Sequence, residues 1–385
     1  MLENLDSIAW SQLTHAYGAA TDVPAQIRNL TSANQGERGI ALWELYGNIF
    51  HQGKRYQATP YAIPFLYELI AAPETQDRHE IVYLLVNLAL GYEESYLPDG
   101  LDVANFRRAF NENDSQMSLA DQAECDEYGV VPRVDLDCYD SVLNGVPVLI
   151  KLLTDDDARL RRAAIYALAW FPENAYQSLP AIRQSLANAS DEIEVANALI
   201  AYGVLARSSK SAINEHELHD FLSHASLIIR VAATIAIARD PLTDNIIETL
   251  VAAILAAEEL QIGGEGIHFN EGDLAGYASL VLARGGAMAR DKIVPALCET
   301  LKSVNPHQSL DVTRSLLDLI VGDRTTPIKD MPAGALDPLE LSALREIARH
   351  GGWKIGDYVF VNYCELVREY GLPDSQESLI EYLNQ

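Results

Sequence analysis

The stretch VPVLIKLLTDDDARLRRAAIYALAWFPENAYQS, residues 146–178, predicts two short helices joined by an acidic turn. Pro147 lies near the start of the first helix, where a missing backbone N–H costs little. The turn Thr154–Asp157 offers an N-cap and negative charge at the positive end of the second helix. The apolar residues of that helix recur at helical spacing as far as Pro172: Leu160, Ala164, Leu168 and Phe171. The segment therefore predicts one helical pair with a shared apolar side.

The same pattern returns twice along the chain, in residues 179–206 and 219–241. Aligning Arg162 with Val195 and Arg230 gives steps of 33 and 35 residues. A period in the thirties of helix–turn–helix units is typical of a helical solenoid. We therefore expect an all-α fold, a right-handed α-α superhelix.

Weaker copies of the unit flank this centre, so we expect one solenoid over residues 1–385. The segment after the early repeats is acidic and irregular; an ordered insertion and a mobile loop both fit it, and we favour a partly helical insertion. The expected organisation is N-terminal repeats (36–90), the acidic insertion (91–140), central repeats (141–255), a glycine-rich loop (256–272), and C-terminal repeats with a cap (273–385).

Composition restricts the partners. The chain carries 55 acidic and 28 basic residues, a formal net charge of -27. The average field of such a chain repels nucleic acid, so a nucleic-acid partner is not expected. A basic protein partner, or solubility alone, fits the charge better.

The cysteines and the apolar runs indicate a cytoplasmic protein. The four cysteines form no CxxC pair, which favours reduced, partly buried thiols over a metal or disulfide framework. The start, MLENLDSIAWSQL, lacks the features of a signal peptide, and no apolar run reaches the roughly 18 residues of a membrane span. We therefore expect no membrane association. The oligomeric state is left open.

Motifs for catalysis, cofactors or metals are not evident. The glycine-rich stretch 263–272 lacks the Lys-Ser/Thr of a phosphate loop. His216 and His219 share a helix face near His224, but no further ligands are obvious, and a solvated pair is favoured over a metal site. The acidic run from Asp135 departs from calcium-loop spacing. We predict no cofactor, no metal and no catalytic residues, and lean towards a protein without enzymatic activity.

Side chains of the second helices are the candidate contacts for a partner, on the expectation that these helices line a concave face. They are Arg162, Tyr166, Asn197, Tyr202, Arg230, Thr234 and Tyr277. Two alternatives stay open. The arginines either face a ligand or form a ladder between repeats, with Asp155 or Asp157 bonding Arg162. The tyrosines either contact a partner or pack between helices.

A second candidate lies near the N-terminal end of the solenoid, at His51 and Gln52. These residues either make polar contacts at its mouth or end a helix, with Gly53 in the left-handed C′ position.

The run DDDARLRRAAIYALAWFPE resembles HEAT repeats of the type first noted in phycobilisome-lyase-like proteins. Residues 42–66, 137–157, 271–286 and 361–383 resemble, in the same order, segments of a group of bacterial HEAT-repeat proteins. The resemblance implies a HEAT/armadillo-like architecture. It also implies a partner-binding role, with toxin neutralisation, as in immunity proteins, as one version.

Three functions follow as hypotheses. The first is a non-catalytic protein-binding or scaffold module that uses a concave solenoid face. The second is a HEAT-like enzyme, related to bilin lyases or to alkylated-base glycosylases; the cationic groove that a glycosylase needs fits poorly with the charge. The third is a structural subunit of a larger complex.

Overall fold

Helices make up nearly all of the regular structure in the computed structural model, which describes residues 1–116, 133–189, 191–213, 215–260, 266–322, 324 and 326–384. The chain forms two compact units, unit 1 (Met1–Ile213) and unit 2 (Asn214–Gln385). The sequence predicted a single array and did not indicate this division.

Unit 1 contains helices of 7 to 17 residues. In chain order they are α1 (Val23–Asn29), α2 (Gln35–Asn48), α3 (Thr59–Ala71), α4 (Arg78–Leu90), α5 (Val103–Gln116), α6 (Val134–Leu143), α7 (Val146–Leu152), α8 (Ala158–Leu168), α9 (Ala175–Asn188) and α10 (Glu192–Ser208).

Unit 2 continues in the same manner. Its helices are α11 (Glu215–Leu222), α12 (Leu227–Ile237), α13 (Asp244–Leu255), α14 (Leu274–Ala283), α15 (Gly286–Thr300), α16 (Ser309–Val321), α17 (Pro338–His350), α18 (Val361–Glu369) and α19 (Gln376–Leu383).

Within each unit the helices stack as pairs. In unit 1, α1 packs on α2, α3 on α4, α7 on α8 and α9 on α10, and the second helices α4, α8 and α10 pack in a row. In unit 2, the second helices α12, α14, α16 and α18 form one such row, and α13, α15, α17 and α19 form the other. Each pair thus shares its core with its neighbours, which is how a solenoid is stabilised. The predicted all-α solenoid is confirmed.

The central repeats begin at three similar helix caps. The side chain of Asp157 accepts a hydrogen bond from the Arg159 N–H, Asp191 caps α10, and Ser226 caps α12. These caps lie 34 and 35 residues apart. Because Arg161, and not Arg162, is the fourth residue of its helix, the sequence alignment that used Arg162 was out of register by one residue.

Two helices contain a proline beyond their first turn. Pro180 lies inside α9 and Pro295 inside α15. Proline is favoured in the first turn of a helix, although it is also found further inside. Because α9 begins at Ala175, the start expected at residue 179 was placed too late.

Short antiparallel hairpins, three of them among the described residues, were not predicted. They are β1 (Thr14–His15) with β2 (Gly18–Ala19), β3 (Phe50–His51) with β4 (Lys54–Arg55), and β5 (Lys354–Ile355) with β6 (Tyr358–Val359). The hairpins directly precede α1, α3 and α18 in the chain.

The two irregular segments contain some helix. The segment 91–140 includes a 3-10 turn (Glu93–Tyr96), α5 and most of α6; residues 117–132 lie outside the described part. The segment 256–272 includes the 3-10 turns Ala257–Leu260 and Phe269–Gly272, and residues 261–265 lie outside the described part. Among the described residues, no helix is both long and apolar enough to cross a membrane.

Candidate interaction surface

Helix α2 is amphipathic in an unusual way, because part of its outward side is apolar. Asn34 caps its start by accepting a hydrogen bond from the Gly36 N–H, and Ala41 and Leu45 fix its buried side. On the outward side, Ile40 and Trp43 are 60% and 75% exposed. A tryptophan this exposed loses the burial that usually stabilises the side chain, and such a patch is typical of a contact surface.

The first two hairpins extend this apolar surface. The His51 Nδ1 atom lies 3.0 Å from the Gly47 carbonyl oxygen and 3.3 Å from the Tyr17 hydroxyl. The Tyr17 and His51 rings meet edge-on with centroids 5.4 Å apart, and Tyr17 is 72% exposed. Trp43 and Gly47 share a side of α2, being four residues apart. We call Ile40, Trp43, Gly47, His51 and Tyr17 the aromatic strip.

The hairpins are held in place by polar contacts behind the strip. The His15 Nε2 atom lies 2.8 Å from an Asp22 carboxylate oxygen, and Asn48 donates to Gln26. Although burial alone would raise the pKa of Asp22, the hydrogen bond with His15 brings it below the ordinary value. The Ala16 N–H donates to the Asn48 carbonyl, which joins the first hairpin to the end of α2.

The charges beside the strip are mainly acidic. Glu37 and Glu44 lie on α2, while Arg38 of the same helix donates two hydrogen bonds to one oxygen of Asp77, at 2.6 and 2.9 Å. The Arg38 charge is therefore neutralised within the fold. Lys54, which pairs with His51 across the second hairpin, is the nearby cation that is exposed.

The structure places His51 and Gln52 in the second hairpin and not at a helix end. Helix α2 ends at Asn48, and Gln52 and Gly53 form the turn with φ values of 51° and 80°. The alternative in which Gly53 is the C′ residue of a helix is therefore wrong. A two-residue turn with positive φ at both positions is a common hairpin connection, and the Gln-Gly pair was the signal for it.

Five of the predicted contact residues are buried: Tyr166, Asn197, Tyr202, Thr234 and Tyr277. The Tyr166 hydroxyl donates to Glu93, and burial together with that carboxylate raises its pKa well above the ordinary value. Asn197 and Thr234 bond carbonyls one turn earlier in their own helices. These side chains have no surface to offer a partner, so the packing alternative describes them.

Some of these side chains are buried because another segment of the chain covers the second helices α8 and α10. The segment after α4 crosses the C-terminal ends of α8 and α10: Glu93 bonds Tyr166, and Arg207 donates to the Pro98 carbonyl at 2.9 Å. Gly100 lies against Val204, where an added Cβ would come within 2.9 Å of a methyl carbon. The segment 91–101 therefore occupies part of the second-helix surface on which a partner was predicted to bind.

Arg161 and Arg78, which were not among the predicted residues, form ties between repeats. Arg161 donates to both carboxylate oxygens of Glu194 at 2.8 and 2.9 Å and also to the Asp155 carbonyl. Arg78 bonds the Asp155 side chain. Arg162 lies 3.9 Å from Asp191, so the predicted bond from Arg162 to Asp155 or Asp157 is wrong.

Arg230 is half-buried and bonds backbone in its own repeat, at the carbonyls of His224 and Ala225. Arg162 belongs to unit 1 and Arg230 to unit 2. Their role in binding stays a prediction.

Other candidate ligands are also dispersed. His216, His219 and His224 are exposed, and Asp135 and Asp140 pair with Arg55 and Arg107. Within the described ranges, no group of three or more His, Cys, Asp or Glu side chains is arranged to hold a metal. Three of the cysteines are free thiols, and Cys125 lies outside the described residues. Burial raises the pKa of Cys298 to about 11, so this thiol is unreactive at neutral pH.

Residues 139–203, from α6 to α10, match the family model for HEAT repeats. This part of the chain is therefore similar to HEAT repeats. The HEAT match includes the pairs α7–α8 and α9–α10, in which the acidic caps and arginine ties were described above.

Outside the HEAT match, the comparisons are weaker. None of the curated proteins matches the sequence. A crystal structure of an engineered protein aligns with 95% of this chain and 99% of its own, with 16% identity and a TM-score of 0.29.

Proposed function

We propose that the protein is a non-catalytic protein-binding module and that the aromatic strip is its contact surface. The observation that carries the proposal is the exposure of Trp43 and Ile40 on a helix whose other side is well packed, together with the exposure of Tyr17 against His51. Tryptophan and tyrosine contribute most of the energy in many protein interfaces.

The acidic charge supports a basic partner. With a net charge of -27, the chain attracts a basic protein over a distance, and the rate of association falls as salt screens the field. Neutralisation of a basic toxin is one version of this function. The resemblance to bacterial HEAT-repeat proteins motivates that version.

A photo-crosslinking amino acid at position 43 tests the proposal. The matched control carries the same amino acid at Tyr176, which is 72% exposed on α9. We expect position 43, but not position 176, to capture a discrete basic protein from a host lysate, with a yield that falls at high salt. Equal capture from both positions, or none from position 43, would reject the aromatic strip as the contact surface.

A further inference from the structure

Two glycines on α2, Gly39 and Gly47, are not required by the packing or by the backbone conformation of the fold. A Cβ built on Gly39 or on Gly47 meets no atom of the described residues within 4 Å. Neither glycine has a positive φ, so an alanine would fit the backbone. Glycine inside a helix destabilises it relative to alanine. Gly36 differs, because its N–H bonds the cap Asn34 and a Cβ there would touch that side chain.

These glycines lie around the exposed tryptophan. At 100° per residue, Gly39, Trp43 and Gly47 fall at successive steps of about 40° around α2, and Ile40 lies about 20° beyond Gly47. The helix therefore presents bare backbone on both sides of one large ring. This arrangement lets another backbone approach α2 closely, with Trp43 packed beside it.

We propose that α2 binds a helix of a partner protein, which packs against Gly39 and Gly47 and carries lysine or arginine along one edge. The proposal rests on the proposed function and adds the shape and charge of the partner. An extended strand gains little here, because the backbone groups inside α2 already bond within their own helix. A helix satisfies its own backbone and brings only side chains to the contact.

The charge of the partner follows from the position of the acidic residues. Glu37 and Glu44 lie about 40° to 60° beyond Ile40 on the α2 circumference, so they form one edge of the exposed side. The cation of α2, Arg38, faces away from this edge and is paired with Asp77. A docked helix with basic residues on that edge therefore meets two carboxylates.

The tryptophans make this contact measurable in the full chain. Trp10, Trp170 and Trp353 are buried, whereas Trp43 is exposed, so acrylamide quenching of tryptophan fluorescence reports mainly on Trp43. The probe is a synthetic amphipathic peptide with an Ala/Leu apolar side and lysines along its edges. A second peptide has the same apolar side and glutamates in place of the lysines.

We expect the lysine peptide to shift the emission to shorter wavelength and to protect Trp43 from acrylamide, and the glutamate peptide to do neither. Gly47→Leu places a large side chain where the partner helix would approach α2, and leucine is itself a good helix former. This variant should therefore bind the lysine peptide at least tenfold more weakly. The matched control Gln177→Leu adds the same side chain to an exposed site on α9 and should leave binding unchanged.

Three results would overturn the inference. They are equal behaviour of the two peptides, full binding by Gly47→Leu, and loss of Trp43 quenching when the protein alone is concentrated, which would make a second copy the occupant. If the lysine peptide fails while crosslinking from position 43 still captures a partner, the helical partner is rejected and the protein-binding function stands. If both experiments fail, both proposals are rejected.

Discussion

At the scale of single residues, glycine shows where the fold and the surface have different requirements. Gly276 of α14 is required by packing, because a Cβ there would lie 2.6 Å from an Asp273 oxygen and 2.7 Å from an Asp311 oxygen. Gly39 and Gly47 of α2 meet no such neighbour among the described residues. The same residue type is therefore a packing necessity in one helix and a cost to stability in another.

Replacing Gly39 or Gly47 with alanine should raise the free energy of unfolding by about 0.5–1 kcal/mol, because alanine favours the helix and restricts the unfolded chain. Urea unfolding measures the change. Gly276→Ala is the contrasting variant and should lower stability, since its methyl group displaces two carboxylates. Destabilisation by Gly47→Ala would show that the fold needs this glycine.

Asp311 is a second residue in an unfavourable environment, because its surroundings disfavour the charged form of its side chain. It is half-buried near Asp273, and its Oδ2 atom accepts a hydrogen bond from Asn270 at 2.7 Å. Burial, and then the negative charge of Asp273, raises its pKa to about 6, although the Asn270 hydrogen bond acts in the opposite direction. The folded chain therefore holds a proton here more tightly than the unfolded chain does.

This difference predicts a dependence of stability on pH. Because the folded pKa lies above the unfolded one, the contribution of Asp311 is fully present below about pH 4 and is lost as the pH rises through 6. Between pH 4 and pH 7.5 the loss is about 2 kcal/mol. Asp311→Asn should remove this component from the pH profile of urea unfolding, whereas Asp6→Asn at an exposed site should not. Identical profiles for Asp311→Asn and the parent would contradict the assignment.

At the scale of helices, the ties between repeats depend on which arginine is fourth in its helix. Arg161 reaches Glu194 in the next second helix, and the Glu194 side chain is only 5% exposed. Removing the arginine would leave that carboxylate buried without its ion pair. Arg162, one residue later, comes no closer than 3.9 Å to its acidic neighbour.

Arg161→Ala should therefore lower the free energy of unfolding by about 2–3 kcal/mol, with the buried carboxylate as the main cause. Arg162→Ala is the matched control and should cost about 1 kcal/mol or less. Adding Glu194→Gln to Arg161→Ala should recover part of the loss. Equal losses in the free energy of unfolding for the two alanine variants would contradict the assignment of the tie to Arg161 and not Arg162.

The sequence identified the helices of this region well because their caps and apolar spacing are local signals. Asp157 belongs to the acidic turn that was predicted to cap a helix without any knowledge of packing. The partner of Arg161 was not, because Glu194 is 33 residues away and its distance depends on how two pairs stack. The burial of Tyr166 by Glu93 was hidden for the same reason, since a segment that no periodicity describes makes the contact.

At the scale of the whole molecule, the excess of acidic residues acts on the entire chain. With 55 acidic and 28 basic residues, the folded state carries a net charge of -27 and repels itself. Added sodium chloride screens this repulsion over distances near 10 Å, while partly buried ties such as Arg161–Glu194 are screened less. The urea midpoint should therefore rise between about 20 mM and 200 mM salt. A falling midpoint would mean that ion pairs outweigh the net charge.

Fold class was predictable at this scale because a repeated helical pair defines a solenoid wherever it recurs. The location of the candidate interaction surface was not predictable, because it depends on which residues are covered by other segments of the chain. The exposure of Trp43 follows from its position on α2 relative to α1 and α4. No pattern in composition distinguishes it from the buried Trp170.

The hairpin of β5 and β6 has a practical consequence. All four of its strand residues are exposed, and a Cβ on the turn residue Gly356 meets no described atom within 4 Å. The turn of β3 and β4 differs, because Tyr92 lies against Gly53 and Arg55 bonds its carbonyl. A genetically encoded tag or a fluorescent reporter placed between Gly356 and Asp357 would therefore leave the helical core intact, and would label the protein far along the chain from Trp43.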